Sequence, residues 1–353
     1  MDIEPLGAWL AEADFGGPRP FLVKPLWPSD AYGVLGAQDK AGKTWAAVDL
    51  AVSVANATPW FGEYEIGRRG SVVYFCGEGG KRNLARRFAA VAASKELGPW
   101  LQDGRPSWSD RIRISDAVPQ LTEQRALEQV DEDLEAHQDT ALVIIDPLYL
   151  ASAGLKGSDL YEMGRAFQGI QRIVQAAGAA LVILTHWNKT GEGDGASRFT
   201  GVGPGAWGRV LGSAKIEEAR REDTSSVVTL KWTFTGSEIP ESEFWMRRTV
   251  SAVDPDDLDS AMLYHVECSE ENPVKAERSI EKAADQAGAE LAKQRALWKV
   301  IADLGEPASV NELLGTVGGG KGALTDRLRA MVELGRLTVS DGPNRARMYA
   351  VVR

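Results

Sequence analysis

Continuous apolar runs separated by helical segments restrict how this chain can fold more than any other feature of its sequence. The runs are Tyr32–Leu35, Ser71–Cys76, Ala141–Ile145 and Ala180–Thr185. Strands buried on both faces of a parallel sheet have this unbroken character, whereas half-exposed strands alternate. Two later runs, Val227–Phe234 and Phe244–Arg248, do alternate, which predicts an antiparallel edge. Residues 31–266 are therefore predicted to form an α/β domain around a mostly parallel central sheet.

The first run leads into a loop with the pattern of a phosphate-binding loop. This loop consists of Ala37, Gln38, Asp39, Lys40, Ala41, Gly42, Lys43 and Thr44, with alanine in place of the usual first glycine. In such loops backbone amides at a helix N-terminus cradle the phosphates, the lysine reaches the β and γ oxygens, and the next hydroxyl binds Mg²⁺. The sequence thus predicts a P-loop NTPase with ATP and Mg²⁺ as ligands, in which Lys43 is catalytic and Thr44 holds the metal.

Polar residues follow three of the apolar runs and complete the predicted site. Asp146 ends one run and is predicted to ligate Mg²⁺, directly or through water. Glu78 follows another run between glycines and is predicted to orient and deprotonate the attacking water. His186 ends a third, where it could sense the γ-phosphate, although a lone histidine at a strand end is more often a residue with a structural hydrogen bond.

Taken in order, these motifs resemble the RecA-like AAA-type ATPase family that includes hexameric plasmid replicative helicases of the RepA type. The segments that carry the resemblance, which covers residues 1–250, lie at 35–44, 72–78, 142–148, 181–189 and 206–209. The resemblance implies a homo-oligomer, either a ring such as a hexamer or a filament, with active sites between subunits. It also assigns the sensing role to His186.

The resemblance implies further cationic residues for the reaction. Arg87, or its neighbour Arg86, occupies the place of a basic residue after the catalytic glutamate. Arg209 resembles an arginine finger that stabilises the transition state in the neighbouring subunit. Lys231 is a second candidate for action on a neighbour, and the alternative for Lys231 is an ordinary lysine at a sheet edge.

Two loops correspond to channel-facing loops of the family. They span 149–163, with Lys156, and 187–205, with Lys189 and Arg198. Cations in such loops would follow the phosphate backbone of single-stranded DNA without reading its sequence. A mobile surface loop without a DNA contact is the alternative for each.

The C-terminal segment has the pattern of a winged helix. Residues 1–30 read as a lead-in to the core and 267–290 as a helical connector, after which 291–353 predict three helices followed by two strands. Its cations are candidates for contacts to duplex or origin DNA: Lys321, Arg327, Arg329, Arg345 and Arg347. Protein docking or subunit assembly is the alternative use of such a module.

Charge and composition narrow the class of protein. A net charge of −10 excludes a surface that is basic all over, although a local basic track remains compatible with it. Two cysteines, an acidic N-terminus and the lack of an apolar run near ~20 residues predict a cytoplasmic protein without a disulfide framework or a membrane span.

The leading hypothesis is a DNA-dependent ATPase motor, a ring-forming replicative-type helicase that acts on single-stranded DNA. A RecA-like mediator of recombination or annealing, and a regulatory ATPase switch that binds DNA through the winged helix, are the alternatives.

Overall fold

The computed structural model describes residues 5–12, 19–98, 106–155, 159–187, 204–221, 224–254 and 261–352. The chain divides into two compact units, Met1–Val274 and Lys275–Arg353. The described residues contain no helix with the length and apolar composition needed to cross a membrane.

The N-terminal unit alternates strands with helices. Its strands are β1 (Phe21–Val23), β2 (Trp27–Pro28), β3 (Tyr32–Ala37), β4 (Ser71–Cys76), β5 (Ile112–Ser115), β6 (Thr140–Asp146), β7 (Ala180–His186), β8 (Val210–Arg221), β9 (Ser225–Gly236), β10 (Ser242–Ala252) and β11 (Met262–Ser269). Its helices are α1 (Leu6–Glu12), α2 (Lys43–Asn56), α3 (Gly80–Ser94), α4 (Gln124–Ala136), α5 (Leu148–Ala151), α6 (Leu160–Ala176) and α7 (Pro204–Trp207).

A nine-stranded sheet organises this unit, in the order β11-β10-β9-β8-β3-β7-β6-β4-β5. The strands from β8 to β5 pair in parallel, and the strands from β8 to β11 pair antiparallel. The prediction of a mostly parallel α/β sheet with an antiparallel edge is therefore confirmed. Register places Ala37 beside His186 and Cys76 beside Asp146, so the ends of four parallel strands meet at one edge.

Helices cover both faces of the parallel part of the sheet. On one face α2 and α3 pack into an apolar cluster that also contains Trp60, Trp232 and Phe234. On the other face α4 and α6 pack around Phe167 and Ile170. Complete burial of one such side chain contributes about 1.5–3 kcal/mol. The sheet and the helices packed on its two faces support the loop that joins β3 to α2.

Three strands of the sheet were not anticipated by the sequence pattern: β5, β8 and β11. The second half of β8 has an exposed face and carries charged residues, so it lacks the continuous apolar run of a central strand. Strands β5 and β11 lie at the two edges of the sheet, where one side has no partner strand. These three strands form because they pair with other strands of the sheet, and their local composition does not predict them.

The C-terminal unit combines helices with a small antiparallel sheet. Its elements are α8 (Pro273–Leu304), α9 (Val310–Val317), α10 (Lys321–Glu333), β12 (Ala308–Ser309), β13 (Leu337–Asp341) and β14 (Arg347–Val351). The predicted three helices and hairpin are present around a core of Leu297, Leu313, Leu328 and Tyr349. Ser309 and Glu312 form a capping box at the start of α9.

The first helix of the C-terminal unit is longer than the sequence indicated. One continuous helix of 32 residues, α8, covers most of the connector predicted at 267–290 and the first of the three helices predicted within 291–353. Much of its length is solvent-exposed, charged and rich in alanine, and those residues favour a helix without a strong apolar stripe to mark where it begins.

Candidate nucleotide site

The loop between β3 and α2 has the backbone of a phosphate cradle. Lys40 and Gly42 adopt positive φ angles of 63° and 88°, and α2 begins immediately afterwards at Lys43. The side-chain oxygen of Gln38 accepts a hydrogen bond of 2.9 Å from the backbone amide of Ile216, which ties the loop to β8. Amides at such a helix N-terminus point outward and favour an anion.

Lys43 lies at the mouth of this cradle and contacts His186. The Lys43 Nζ atom is 3.1 Å from His186 Nδ1, which is itself 2.6 Å from Asp39 Oδ1. A neutral Nδ1 accepts a hydrogen bond from the lysine, whereas a protonated Nδ1 donates to Asp39 instead. Burial lowers the pKa of the Lys43 ammonium, against the attraction of the surrounding carboxylates. The proton on Nδ1 therefore determines whether His186 bonds to Lys43 or to Asp39.

Asp146 is buried at the end of β6, close to the start of α2. Tyr74 donates a hydrogen bond of 2.9 Å to Asp146 Oδ2, and the Thr44 hydroxyl also bonds to this carboxylate. Burial raises the pKa of the Asp146 carboxyl, while the two hydrogen bonds favour its ionised form. Tyr74, which the sequence analysis did not single out, fixes the orientation of the acid.

Glu78 extends from the end of β4 toward the same space. Its Oε1 atom accepts a hydrogen bond from the hydroxyl of Tyr149, and this bond raises the pKa of Tyr149. Tyr149 lies at the start of α5, directly after Asp146-Pro147-Leu148. The tyrosine was missed because only its proximity in sequence to Asp146 marks it.

A single cavity of roughly 270 Å³ brings most of the predicted residues together. It is lined by Lys40, Gly42, Lys43, Thr44, Trp45, Glu78, Arg87, Asp146, His186 and Arg248. Arg87 lies over the Trp45 ring at 5.6 Å, so of the two neighbouring arginines it is Arg87, and not Arg86, that forms part of the wall. Arg248 comes from β10 and was not anticipated as a site residue.

The donor set at the floor of the cavity fits Mg²⁺. A hydroxyl and a carboxylate, from Thr44 and Asp146, are the oxygen ligands that this ion accepts, and Mg²⁺ usually keeps waters and phosphate oxygens in its remaining positions. Within the described part of the chain no cluster of three acidic, histidine or cysteine side chains offers a separate metal site. The metal would therefore be held jointly with a nucleotide.

Arg209 lies at the opposite end of the sheet from its own phosphate loop. Its backbone amide bonds to Tyr32 at the start of β3, and five residue steps of about 3.3 Å separate Tyr32 from the end of that strand. Arg209 Nη1 forms an ion pair of 2.7 Å with Glu238, and half of the side chain is exposed. Arg209 cannot reach its own phosphate loop from this position.

Lys231 lies on β9 and faces away from the apolar cluster around Trp232. It forms an ion pair of 2.7 Å with Glu243, and its ammonium group lies 5.6 Å from the centre of the Trp245 ring. It does not line the nucleotide cavity. The structure therefore leaves two roles for Lys231, a contact with a neighbouring subunit or an ordinary position on the sheet surface.

The candidate DNA contacts fall into three groups. Lys156, Lys189 and Arg198 lie outside the described residues. In the C-terminal unit four of the candidates are exposed: Lys321, Arg329, Arg345 and Arg347. Arg327 is instead held by a bidentate pair with Glu290, at 2.5 and 2.8 Å, so contact with a phosphate would require that pair to break.

Comparison with known families agrees with this geometry. A family model described as AAA domain (AAA_25) matches residues 7–192, more than half of the chain, and the match includes the phosphate loop, Glu78, Asp146 and His186. A comparison with curated proteins gives no match. The chain belongs to the AAA_25 family of AAA domains, which are RecA-like P-loop ATPases.

Proposed function

We propose that this chain hydrolyses ATP with Mg²⁺ and uses the reaction to move along single-stranded DNA as a ring-forming, replicative-type helicase. The observation that carries the ATPase part is the convergence of the phosphate loop, Glu78, Asp146 and His186 on one cavity. The observation that favours a ring is the position of Arg209, which only a neighbouring subunit's nucleotide could use.

In the proposed reaction the chain's own groups position a water and stabilise the developing charge. Glu78 would accept a proton from the attacking water while the oxygen of that water forms a bond to the γ-phosphorus. Lys43 would stabilise the charge on the phosphate oxygens as the bond to the β–γ bridging oxygen breaks. Mg²⁺, held through Thr44 and Asp146, supplies further neutralisation of that charge.

A nucleotide would also change the contacts of His186. When the Lys43 ammonium binds a phosphate, it would lose its 3.1 Å contact with His186 Nδ1. His186 Nδ1 would keep its 2.6 Å contact with Asp39 Oδ1. His186 ends β7, directly before the predicted channel-facing loop 187–205. This position is suited to a relay from nucleotide state to that loop, which we propose contacts DNA.

Arg209 would serve as the finger for the adjacent subunit. In the isolated chain its guanidinium is paired with Glu238, which also accepts a hydrogen bond from Arg19. Glu238 would still be paired with Arg19 if Arg209 left it. Arg209 could therefore bind a phosphate without leaving the Glu238 carboxylate unpaired. Lys231 is the second candidate for such a contact, and it would first have to leave Glu243.

The C-terminal unit would supply contacts to duplex or origin DNA as a winged helix. Four exposed cations, on α10 and around the β13–β14 hairpin, support this role: Lys321, Arg329, Arg345 and Arg347. A docking surface for another protein is the alternative for this unit.

Strand displacement on forked and tailed duplexes tests the helicase proposal, with Lys43→Ala as the matched control that lacks the phosphate contact. ATP-dependent unwinding by the wild type and none by the control supports it. Hydrolysis without unwinding would favour the recombination mediator, for which electron microscopy of the ATP-bound protein on DNA should show filaments. Binding to one duplex sequence, with slow hydrolysis insensitive to single strands, would favour the switch.

A further inference from the structure

Arg248 is the one charged residue in the wall of the nucleotide cavity that comes from the antiparallel part of the sheet. It lies on β10, and only 5% of its surface is exposed. The other charged side chains of the cavity come from the phosphate loop, α2, α3 and the ends of β4, β6 and β7. The β9–β11 region thus contributes a cation to a site that is otherwise built from the parallel strands.

The arginine contacts the phosphate loop directly. Its Nη1 atom donates hydrogen bonds to the backbone carbonyl oxygens of Ala41 and Gly42, at 2.9 and 3.4 Å. A Cβ atom added at Gly42 would lie 1.5 Å from this nitrogen. Glycine is therefore required at position 42 both by its positive φ angle and by the close approach of Arg248.

The surroundings of Arg248 do not neutralise its charge. Among the described residues no carboxylate is paired with it, and its Nε atom is buried without a hydrogen-bond partner. Burial lowers the pKa of Arg248, and repulsion from the neighbouring Arg87 lowers it further. A buried guanidinium without a counterion is costly, because such groups are normally paired and fully hydrogen-bonded.

An anion in the cavity would resolve this imbalance. Arg87 and Arg248 line the same cavity of roughly 270 Å³, and Lys43 approaches it from the phosphate loop. We propose that Arg248 binds a phosphate of the nucleotide in its own subunit, in addition to the contacts made by the phosphate loop. This inference rests on nucleotide binding at the loop and not on any action on DNA.

Nucleotide affinity of Arg248 variants tests the proposal, with dissociation constants for ADP and ATP measured by calorimetry on the full chain. Loss of a hydrogen bond to a charged group is worth about 1.5–3 kcal/mol, or roughly a tenfold to hundredfold loss of affinity. We expect a loss of that size in Arg248→Gln and a smaller one in Arg248→Lys. The matched control is Arg247→Gln, one residue earlier on the opposite face of β10.

The two variants distinguish a contact between Arg248 and phosphate from a purely structural role, in which Arg248 only holds the phosphate loop in place. Glutamine can donate a hydrogen bond to the Ala41 carbonyl but carries no charge, whereas lysine keeps the charge. If Arg248→Gln and Arg248→Lys bind nucleotide with equal affinity, Arg248 only holds the loop in place and the proposal is wrong. A loss confined to ATP would assign the contact to the γ-phosphate, and an equal loss for ADP would assign it to the α- or β-phosphate.

A structure of the wild-type protein with ADP or ATP keeps the test independent of the folding of any variant. A guanidinium nitrogen of Arg248 within hydrogen-bond distance of a phosphate oxygen in either complex supports the proposal, and separation by more than 4 Å in both overturns it. Failure of the wild type to bind ADP or ATP at all would instead contradict nucleotide binding itself.

Discussion

At the scale of single residues, the site places a buried acid beside a buried base. Asp146 and Lys43 both lose solvent, and burial raises the pKa of the acid while it lowers the pKa of the amine. Both shifts disfavour the charged forms that the reaction needs. The nucleotide-free protein therefore carries an electrostatic cost at this site, and a bound nucleotide with its metal would relieve it.

Replacing Asp146 by Asn should separate stability from activity. Because the folded-state pKa of Asp146 is raised, the folded protein binds more protons than the unfolded chain between the ordinary and the raised pKa. The stability contributed by this group is therefore complete below the ordinary pKa and is lost as pH rises through the raised pKa. We expect nucleotide-free Asp146→Asn to melt at or above the wild-type temperature at pH 7, with the difference vanishing near about pH 4.

Thermal scans across pH measure this effect, and hydrolysis assays on the same samples should show a loss of about 10- to 100-fold or more. Asp116→Asn is the matched control, since Asp116 is exposed and pairs with Lys81 at 3.0 Å. A nucleotide-free Asp146→Asn protein that melts well below the wild type at pH 7 would show that the carboxylate stabilises the fold.

The sequence predicted the site residues that follow a local pattern. The loop residues, Glu78, Asp146 and His186 each stand next to a strand whose apolar run is visible in the sequence. Arg248 could not be found in this way, because it lies 207 residues after Ala41 in a strand of ordinary alternation. Tyr74 was hidden inside an apolar run, where its hydroxyl gives no sign of its partner.

At the scale of elements, a buried polar network fixes α2 to its neighbours. Asp49 of α2 is fully buried, and it accepts hydrogen bonds from Tyr264 of β11 at 2.8 Å and from Ser53 at 3.2 Å. Lys95, just after α3, forms an ion pair of 2.8 Å with the same carboxylate. The helix that begins at the phosphate loop is thereby linked to both α3 and the edge strand.

Lys95→Met should destabilise the N-terminal unit strongly. Removing the cation leaves Asp49 as a buried and uncompensated charge, which costs about 3–5 kcal/mol. Chemical denaturation of the full chain, followed by tryptophan fluorescence, measures the free energy of unfolding. Lys81→Met, which breaks an exposed pair with Asp116, should leave it unchanged. Equal stabilities of the two variants would contradict the role given to the network.

The elements themselves were predictable to different degrees. The buried central strands follow from continuous apolar runs, because both of their faces are covered by helices. The second half of β8 and the edge strand β11 carry polar residues on an exposed face, and β5 is only four residues long with Ile114 exposed, so only pairing with distant strands makes these strands regular. The length of α8 was missed because alanine and charge favour helix without indicating its ends.

At the scale of the whole molecule, the sheet separates the phosphate loop from Arg209. The phosphate loop lies at the carboxyl ends of the parallel strands, and Arg209 lies beside the start of β3 at the other end. A ring in which one edge faces the other edge of the next subunit would unite them. The family resemblance predicts such a ring, and the register between β3 and β8 keeps Arg209 away from the phosphate loop of its own subunit.

Mixing two inactive variants should restore hydrolysis if Arg209 acts on a neighbour. Arg209→Ala subunits keep an intact phosphate loop, and Lys43→Ala subunits keep an intact Arg209. Interfaces that combine the two in the right order would hold one complete site, so we expect activity to reappear and to depend on the mixing ratio. Asp146→Asn with Lys43→Ala gives the matched control, because both changes damage the same nucleotide-binding cavity and leave no complete site at any interface. Mixtures as inactive as their parts would contradict catalysis between subunits.

We propose that ATP hydrolysis in this chain responds to single-stranded DNA, and steady-state ATP hydrolysis with and without that DNA tests this most directly. We predict strong stimulation in the wild type and no hydrolysis above background in Lys43→Ala under either condition. Clear basal hydrolysis in the wild type that does not change with single-stranded DNA would contradict a motor and leave a regulatory ATPase.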